Sequence, residues 1–346
     1  MTGDVRRYAA ANARVRTLLA SLLGRAGLEA LSTYPSPAAL LEALLRTAYG
    51  STLAAAPPER GLLQRLVAVG RAVTDLLSGA EQAFLRQYLL RLEVDTLKVL
   101  IRAVHLHHPW ERIEPYVLSL PGIATIDPRA LATAHDLGDL VARLAGSAYG
   151  AALHAALHRL QEAGPFALEV AVELDYYERL WMTVDTLASE DRARAQRLLG
   201  VLFDILNLGW IARYRDASGL SPEEIMNYTL RQGRWLTLTV RRALAEAPSP
   251  AEPARAWDAA LARTPYARLL TDLQTVGFDA ASAGLWRFLA AEAQHMLSGY
   301  PFHIGVPLGF LLAQEIEIRD LQILLAGKAI GVPGAEILEH LATVRH

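Results

Sequence analysis

Apolar residues return every three to five positions along almost the whole chain, and this spacing restricts its fold more than any other feature. Leu85, Leu89 and Leu92 begin one such run, which Leu97 and Leu100 continue. Residues spaced in this way lie on one face of an α-helix. No segment alternates polar and apolar residues with the β-branched enrichment of a strand. The pattern therefore predicts an all-α fold.

Proline and glycine separate the predicted helices. Besides the run just described, helical stripes cover residues 38–48, 62–77, 137–145, 151–161, 196–214, 222–244, 254–263, 280–297, 308–326 and 334–343. Asp136 and Ser221 are suited to cap the helices that follow them. Pro222 then takes the favoured first helical position.

The composition suits a chain with a large core and no nucleic-acid partner. Of the 346 residues, 52% are hydrophobic and 20% charged, which allows two or three packed units. The net charge of −2 provides no general attraction for nucleic acid. The chain has no cysteine, which excludes disulfides and thiolate chemistry. We expect no secretory signal.

The longest stretch without a charged residue is Ala293–Gln314. It is long enough to cross a bilayer, which takes about 20 residues. However, Pro301 and Pro307, together with three glycines, argue against a continuous spanning helix. We therefore predict no transmembrane segment, and any membrane association would be through protein partners.

A tyrosine pattern occurs three times. Each copy ends an apolar helix with a small residue, a tyrosine and then glycine or alanine, at Tyr49, Tyr149 and Tyr266. A tyrosine at a helix end usually packs its ring and bonds its hydroxyl locally, and direct contact with a partner is the alternative.

An acidic pattern follows each tyrosine pattern. Glu93, Asp204 and Glu317 each lie four residues before a leucine, and a proline-marked turn leads from that helix to a second one. The two patterns keep the same order three times, which predicts three similar helical units at residues 1–122, 123–240 and 241–346.

Each of these acids lies on an apolar helix face, because four residues make about one helical turn. A buried carboxylate without a partner is costly. One interpretation is structural, with each acid holding a neighbouring loop. The other is that the acids line a concave surface, shared by the three units, that meets a partner.

The sequence contains no recognised catalytic, cofactor or metal motif. Gly327-Lys328 has neither the leading glycine nor the hydroxyl residue of a phosphate-binding loop. His105, His107 and His108 lack further ligands at convincing spacing. We therefore predict no catalytic residue, no cofactor and no metal.

Several segments resemble the C subunit of the archaeal-type and vacuolar-type (A/V-type) rotary ATPases, equivalent to the d subunit of the eukaryotic V-ATPase. The N-terminal segment from Tyr8 through residues 12–16 is similar to that family's "Y-x-N-A-R-V-R" opening. Residues 45–50 resemble its first loop, and 95–103 its "D-x-x-N-L-x-x-L-L-R-A" helix. Residues 301–321 resemble its C-terminal signature, with Asp320 where asparagine is common, and 331–333 resemble the turn that follows. The chain departs from the family at an inserted Pro- and Ala-rich segment around 247–256, and the resemblance is weaker across 123–200.

The resemblance implies a funnel of three similar units with pseudo-threefold symmetry. It also implies a non-catalytic component of the central stalk, peripheral on the cytoplasmic side of the membrane, in proton or sodium transport. The implied partners are the rotor ring and the D and F shaft proteins. Two alternatives stay open from the residues alone: a free-standing helical-repeat scaffold that binds proteins, and an all-helical enzyme with a deep, unrecognised pocket.

Overall fold

The computed structural model describes residues 2–217, 220–247, 255–270, 278 and 281–343. Within these ranges every regular element is a helix and no strand occurs, which confirms the all-α prediction. The α-helices are α1 Thr2–Leu19, α2 Gly24–Ser32, α3 Pro37–Leu44, α4 Gly50–Leu53, α5 Pro58–Thr74, α6 Gly79–Leu89, α7 Arg91–His105, α8 Trp110–Ile113, α9 Pro128–Leu131, α10 Leu137–Arg143, α11 Gly150–Ala156, α12 Leu160–Ala163, α13 Pro165–Asp185, α14 Ser189–Ala217, α15 Pro222–Asn227, α16 Leu238–Glu246, α17 Arg255–Leu261, α18 Ala283–Leu297, α19 Gly305–Ala329 and α20 Gly334–Glu339. Short 3₁₀ turns cover Glu114–Tyr116, Leu157–Arg159 and Pro265–Arg268.

The helices form two compact units. The central unit is the continuous segment Tyr49–Leu187, and the discontinuous unit combines Met1–Ala48 with Ala188–His346. The division into three units at residues 122 and 240 stays a prediction. It was drawn from repeated sequence patterns, whereas the two units are defined by how compactly their residues pack.

In the central unit α13 packs against α6, α7 and α11. The Tyr176 hydroxyl donates a hydrogen bond of 2.9 Å to the backbone carbonyl of Tyr88. Helices α5 and α6 approach closely at Gly70, where an added Cβ would lie 2.6 Å from a methyl carbon of Leu89. The core of the unit is therefore held by apolar packing. The buried Tyr176 hydroxyl within it has a hydrogen-bond partner.

In the discontinuous unit α19 contacts α1, α3, α14 and α18. Helix α1 joins the rest of the unit through Asp191, whose carboxylate accepts a 2.6 Å hydrogen bond from the Tyr8 hydroxyl. The other oxygen of Asp191 accepts a 2.9 Å bond from the N–H of Ile304, just before α19. One buried carboxylate therefore connects the N-terminal helix to the start of the C-terminal helix pair.

The charge-free stretch from residue 293 to 314 is not one helix. It is divided between α18, which ends at Leu297, and α19, which begins at Gly305, as its prolines and glycines predicted. A different helix, Ser189–Arg215 within α14, is long and apolar enough to cross a bilayer, but 78% of its most apolar window is buried inside the protein. That burial is typical of a core helix.

Two predicted caps are confirmed and one predicted helix is wrong. Asp136 accepts a 2.8 Å bond from the N–H of Asp139, and Ser221 forms a reciprocal capping box with Glu224. The stripe predicted over 222–244 is interrupted, because residues 228–237 form a loop between α15 and α16. Most of the inserted segment at 247–256 lies outside the described residues.

Helices α7 and α19 end in the same turn. The N–H of His108 donates to the carbonyl of Ala103 at 2.8 Å, and 224 residues later the N–H of Val332 donates to that of Gly327 at 2.9 Å. This bond across the last helical turn is the Schellman arrangement. The sequence repeat is thus also a repeat of local backbone structure.

A short helix follows each of these turns. Pro109 precedes α8 and Pro333 precedes α20. The two short helices bury Ile113 and Ile337, also 224 residues apart, at 5% and 2% exposure. Both segments therefore fold as a long helix, a tight turn and a short helix that packs one isoleucine.

Candidate functional site

Glu93 is the first of the three repeated acids, and it lies on the buried face of α7 with 1% exposure. One carboxylate oxygen accepts hydrogen bonds from the N–H groups of Thr125 and Ile126, at 2.5 and 3.3 Å. The other accepts bonds from the Thr125 hydroxyl at 2.5 Å and the Tyr149 hydroxyl at 2.8 Å. The acid thus joins a loop and a repeated tyrosine to α7.

Asp204, the second acid, is fully buried on α14. Its carboxylate accepts bonds from three successive backbone N–H groups, those of Arg234, Trp235 and Leu236, at 2.8–3.2 Å. The Tyr266 hydroxyl adds a fourth donor at 2.8 Å. Asp204 and Glu93 therefore make the same set of contacts. Each acid accepts hydrogen bonds from a later loop and from the next repeated tyrosine.

Burial raises the pKa of Asp204, and the bonds from the Trp235 N–H and the Tyr266 hydroxyl oppose that rise. Burial and the adjacent Asp204 also raise the pKa of Tyr266, so its hydroxyl stays protonated and can donate. The loop approaches so closely that a Cβ on Gly233 would lie 2.2 Å from an Asp204 oxygen. This contact explains why the predicted helix breaks at 228–237, since the loop donates its N–H groups to a buried carboxylate.

Glu317, the third acid, has 1% exposure on α19. Its Oε2 accepts a 2.8 Å bond from the N–H of Gly24, the first residue of α2. Gly24 has a positive φ of 61°, which favours glycine. This acid therefore connects the C-terminal part of the discontinuous unit to its N-terminal part.

The three tyrosines are all buried, at 1%, 0% and 0% exposure for Tyr49, Tyr149 and Tyr266. A hydroxyl residue precedes each tyrosine by two positions and donates to the carbonyl three residues before itself, at 2.6–2.9 Å. These residues are Thr47, Ser147 and Thr264. Burial and the shared turn support a packing role, whereas partner contact at these positions stays a prediction.

The sequence reasoning missed the contacts of a second polar position in the repeat, three residues after the acid. At Asp320, with no exposure, the carboxylate accepts bonds from the N–H groups of Ala342 and Thr343 at 2.6–3.0 Å. At Asn207 the side-chain oxygen accepts a 2.7 Å bond from the N–H of Leu230. In both, the donor lies 22 or 23 residues later. The Asn-Leu and Asp-Leu pairs in the sequence were the signal that could have found them.

Asp191 was also missed. It bonds Tyr8, the first residue of the N-terminal segment on which the family resemblance rests. That pairing could not be read from spacing, since the two residues lie 183 positions apart.

In the part of the chain that the structure describes, the remaining polar groups do not assemble a recognised active site. Gly327-Lys328 lies within α19, which is a helix and not a phosphate-binding loop. A cavity of about 400 Å³ in the central unit borders Glu93 and Thr96, but both Glu93 oxygens already accept hydrogen bonds. Among the described residues no group of three His, Asp or Glu side chains is placed to hold a metal.

Comparison with known proteins agrees with the resemblance seen in the sequence. Residues 11–340 match the family described as ATP synthase (C/AC39) subunit. A relative from Methanocaldococcus jannaschii, named as the C subunit of an A-type ATP synthase, is 25% identical over 97% of this chain and 86% of its own length. The protein of that name from Methanothermobacter thermautotrophicus is 26% identical over 98% and 89%. That from Methanobrevibacter smithii is 28% identical over 72% of this chain and 66% of its own length. The match spans nearly the whole chain, from α1 to the end of α20, and the chain therefore belongs to the ATP synthase (C/AC39) subunit family.

Proposed function

We propose that this chain is a non-catalytic component of the central stalk of an A/V-type rotary ATPase or ATP synthase. In this role it is a socket that links the shaft formed by the D and F proteins to the membrane rotor ring. The observation that carries the proposal is the family match over residues 11–340, together with relatives named as the C subunit of A-type ATP synthases.

The absence of catalysis is supported by how the candidate carboxylates are used. Glu93, Asp204 and Glu317 each accept at least one backbone N–H bond. A buried carboxylate that accepts backbone N–H bonds is fixed in place, which favours a structural role. The same bonds suit a protein that must keep its shape while it transmits torque.

The arrangement of three similar units is supported by local structure. The hydroxyl residue before each tyrosine makes the same bond in all three copies. The acid, loop and tyrosine combination recurs at Glu93 and Asp204. Three similar units that frame one surface would offer repeated contacts to a ring of identical subunits.

We place the protein on the cytoplasmic side of the membrane, held there by protein partners. The burial of the apolar helix Ser189–Arg215 favours attachment through proteins over insertion of that helix. Torque transmission requires a large packed interface more than a single dominant residue. The complex would move protons or sodium ions.

Affinity purification from native membranes, with mass spectrometry of the partners, tests the proposal. The tagged chain should bring down both shaft and ring proteins, and purified shaft should bind it without the ring. Recovery of unrelated proteins alone would favour a free-standing scaffold. A reaction of the isolated chain that Asp204→Ala or Glu93→Ala abolishes without unfolding would favour an enzyme.

A further inference from the structure

The discontinuous unit contains an aromatic-lined cleft of about 510 Å³. Its apolar lining comes from α14, α18 and α19 and includes Trp210, Trp286 and Ile323, with Phe278 beside them. Clefts of this size and composition are typical of binding sites. Tryptophan is also enriched among the residues that contribute most to protein–protein affinity.

The titratable side chains of the cleft are all basic. Arg213, Arg319 and His340 line it, and none of the described lining residues is an aspartate or glutamate. The Arg319 guanidinium lies 5.0 Å from the centre of the Trp286 ring, within the range of a cation–π contact. The cleft thus combines an apolar floor with positive charge and fits a ligand that has both an anionic and an apolar part.

Arg213 is exposed and has no hydrogen bond or ion pair among the described residues. Its counterpart in the repeat is Arg102, since each arginine follows its repeated acid, Asp204 or Glu93, by nine residues. Arg102 donates two bonds to the carboxylate of Glu169, at 2.7 and 2.5 Å. The same arginine is therefore paired within the central unit, whereas in the cleft no carboxylate of the described residues pairs with it.

We infer that this cleft docks a segment of a protein partner that presents a carboxylate beside apolar side chains. The carboxylate would pair with Arg213 in the two-bond geometry that Arg102 shows with Glu169. The neighbouring apolar side chains would cover Trp210 and Trp286. The inference rests on the proposed function, because it takes that partner to be a shaft or ring protein of the same rotary complex.

Overlapping peptides that cover the shaft and ring proteins of the source organism provide the test. The full-length chain is applied to them as wild type, as Arg213→Gln and as the matched control Arg102→Gln. Bound peptides should contain Asp or Glu next to aliphatic or aromatic residues. Arg213→Gln should weaken their binding about 10-fold to 100-fold, as expected for loss of a charge-assisted pair, whereas Arg102→Gln should leave it unchanged.

A double-mutant cycle identifies the contact. Replacing the peptide's acid with its amide should weaken binding to wild type and have little further effect on Arg213→Gln. Trp286→Phe should reduce the change in tryptophan fluorescence on binding, with thermal unfolding as the check that each variant folds. The inference would be overturned if no peptide bound, or if neither Arg213→Gln nor the change of the peptide's acid to its amide weakened binding. So would binding to phosphatidylglycerol vesicles with no peptide bound.

Failure of this inference is distinguishable from failure of the proposed function. Purified shaft and ring that bind wild type and Arg213→Gln equally would remove the cleft from the interface and leave the stalk role standing. A chain that binds neither shaft nor ring would overturn the stalk role and, with it, the inferred identity of the partner.

Discussion

The hydroxyl of Tyr149 donates a 2.8 Å hydrogen bond to the carboxylate of Glu93, a residue 56 positions earlier in the chain. The bond joins the two sequence patterns that repeat along the chain, the acid on a long helix and the tyrosine at a later helix end. Tyr266 and Asp204 form the same pair, also at 2.8 Å. Because both partners are buried, these pairs fix how each long helix meets the segment that follows it.

Replacement of Tyr149 by phenylalanine should destabilise the protein by about 1.5–3 kcal/mol, the range for a bond to a charged group. The ring still fills its place, but one oxygen of the buried Glu93 loses a donor. Urea unfolding measures the difference. Tyr116→Phe is the control, since Tyr116 is 69% exposed. Equal stability of the two variants would contradict a structural role for the buried pair.

Removal of the Asp204 carboxylate should have a larger effect, more than about 3 kcal/mol, because four donors, two of them in buried bonds, lose their acceptor at once. Asp204→Ala leaves the N–H groups of Arg234, Trp235 and Leu236 without their partner. Chemical unfolding followed by circular dichroism measures the loss. Asp258→Ala, at an exposed position on α17, should change stability by less than about 1 kcal/mol. A loss at Asp204 no larger than at Asp258 would mean that the loop holds its shape without the acid.

The helices could be predicted from the sequence because the buried apolar residues of each helix recur at helical spacing. The caps at Asp136 and Ser221 were predictable for a related reason, since an N-cap bonds residues only three positions away. Contacts between residues far apart in the sequence could not be predicted in this way. Nothing in local spacing indicates that Tyr8 bonds Asp191.

The predicted helix over 222–244 shows why local patterns fail. Its apolar residues keep helical spacing, yet residues 228–237 form a loop whose N–H groups bond Asp204. A tertiary acceptor outweighed the local preference. Gly233 was the one visible sign, because a side chain there would collide with the carboxylate.

The matching ends of α7 and α19 predict opposite responses to substitution. His107 has φ 52°, and the corresponding Gly331 has φ 80°. A residue with a side chain is destabilised by roughly 1–2 kcal/mol in this left-handed region. Glycine avoids that strain, but it loses more backbone entropy on folding, which offsets part of the gain. His107→Gly should therefore stabilise by up to about 1 kcal/mol, and Gly331→Ala should destabilise by about 1 kcal/mol. Thermal unfolding of the two variants tests the signs, and a shift in the same direction for both would show that the two turns are not equivalent.

His303 should make stability depend on pH. Its side chain is 7% exposed, and burial, followed by the nearby positive charge of Arg194, lowers its pKa below the ordinary value, while Asp191 acts in the opposite direction. Below about pH 6.5 the unfolded chain binds a proton that the folded protein accepts less readily. The free energy of unfolding should therefore fall as the pH drops from about 6.5 through the lowered pKa.

The variant His303→Gln removes this titration and keeps a polar side chain of similar reach. Its free energy of unfolding, measured with urea at a series of pH values from about 7 to about 5, should fall less steeply than that of wild type. His105→Gln, at an exposed position at the end of α7, is the control for the loss of a histidine as such. Parallel curves for wild type and His303→Gln would mean that His303 titrates alike in the folded and unfolded chain. A flatter curve for His303→Gln alone would show that the folded protein loses stability when this buried imidazole is protonated.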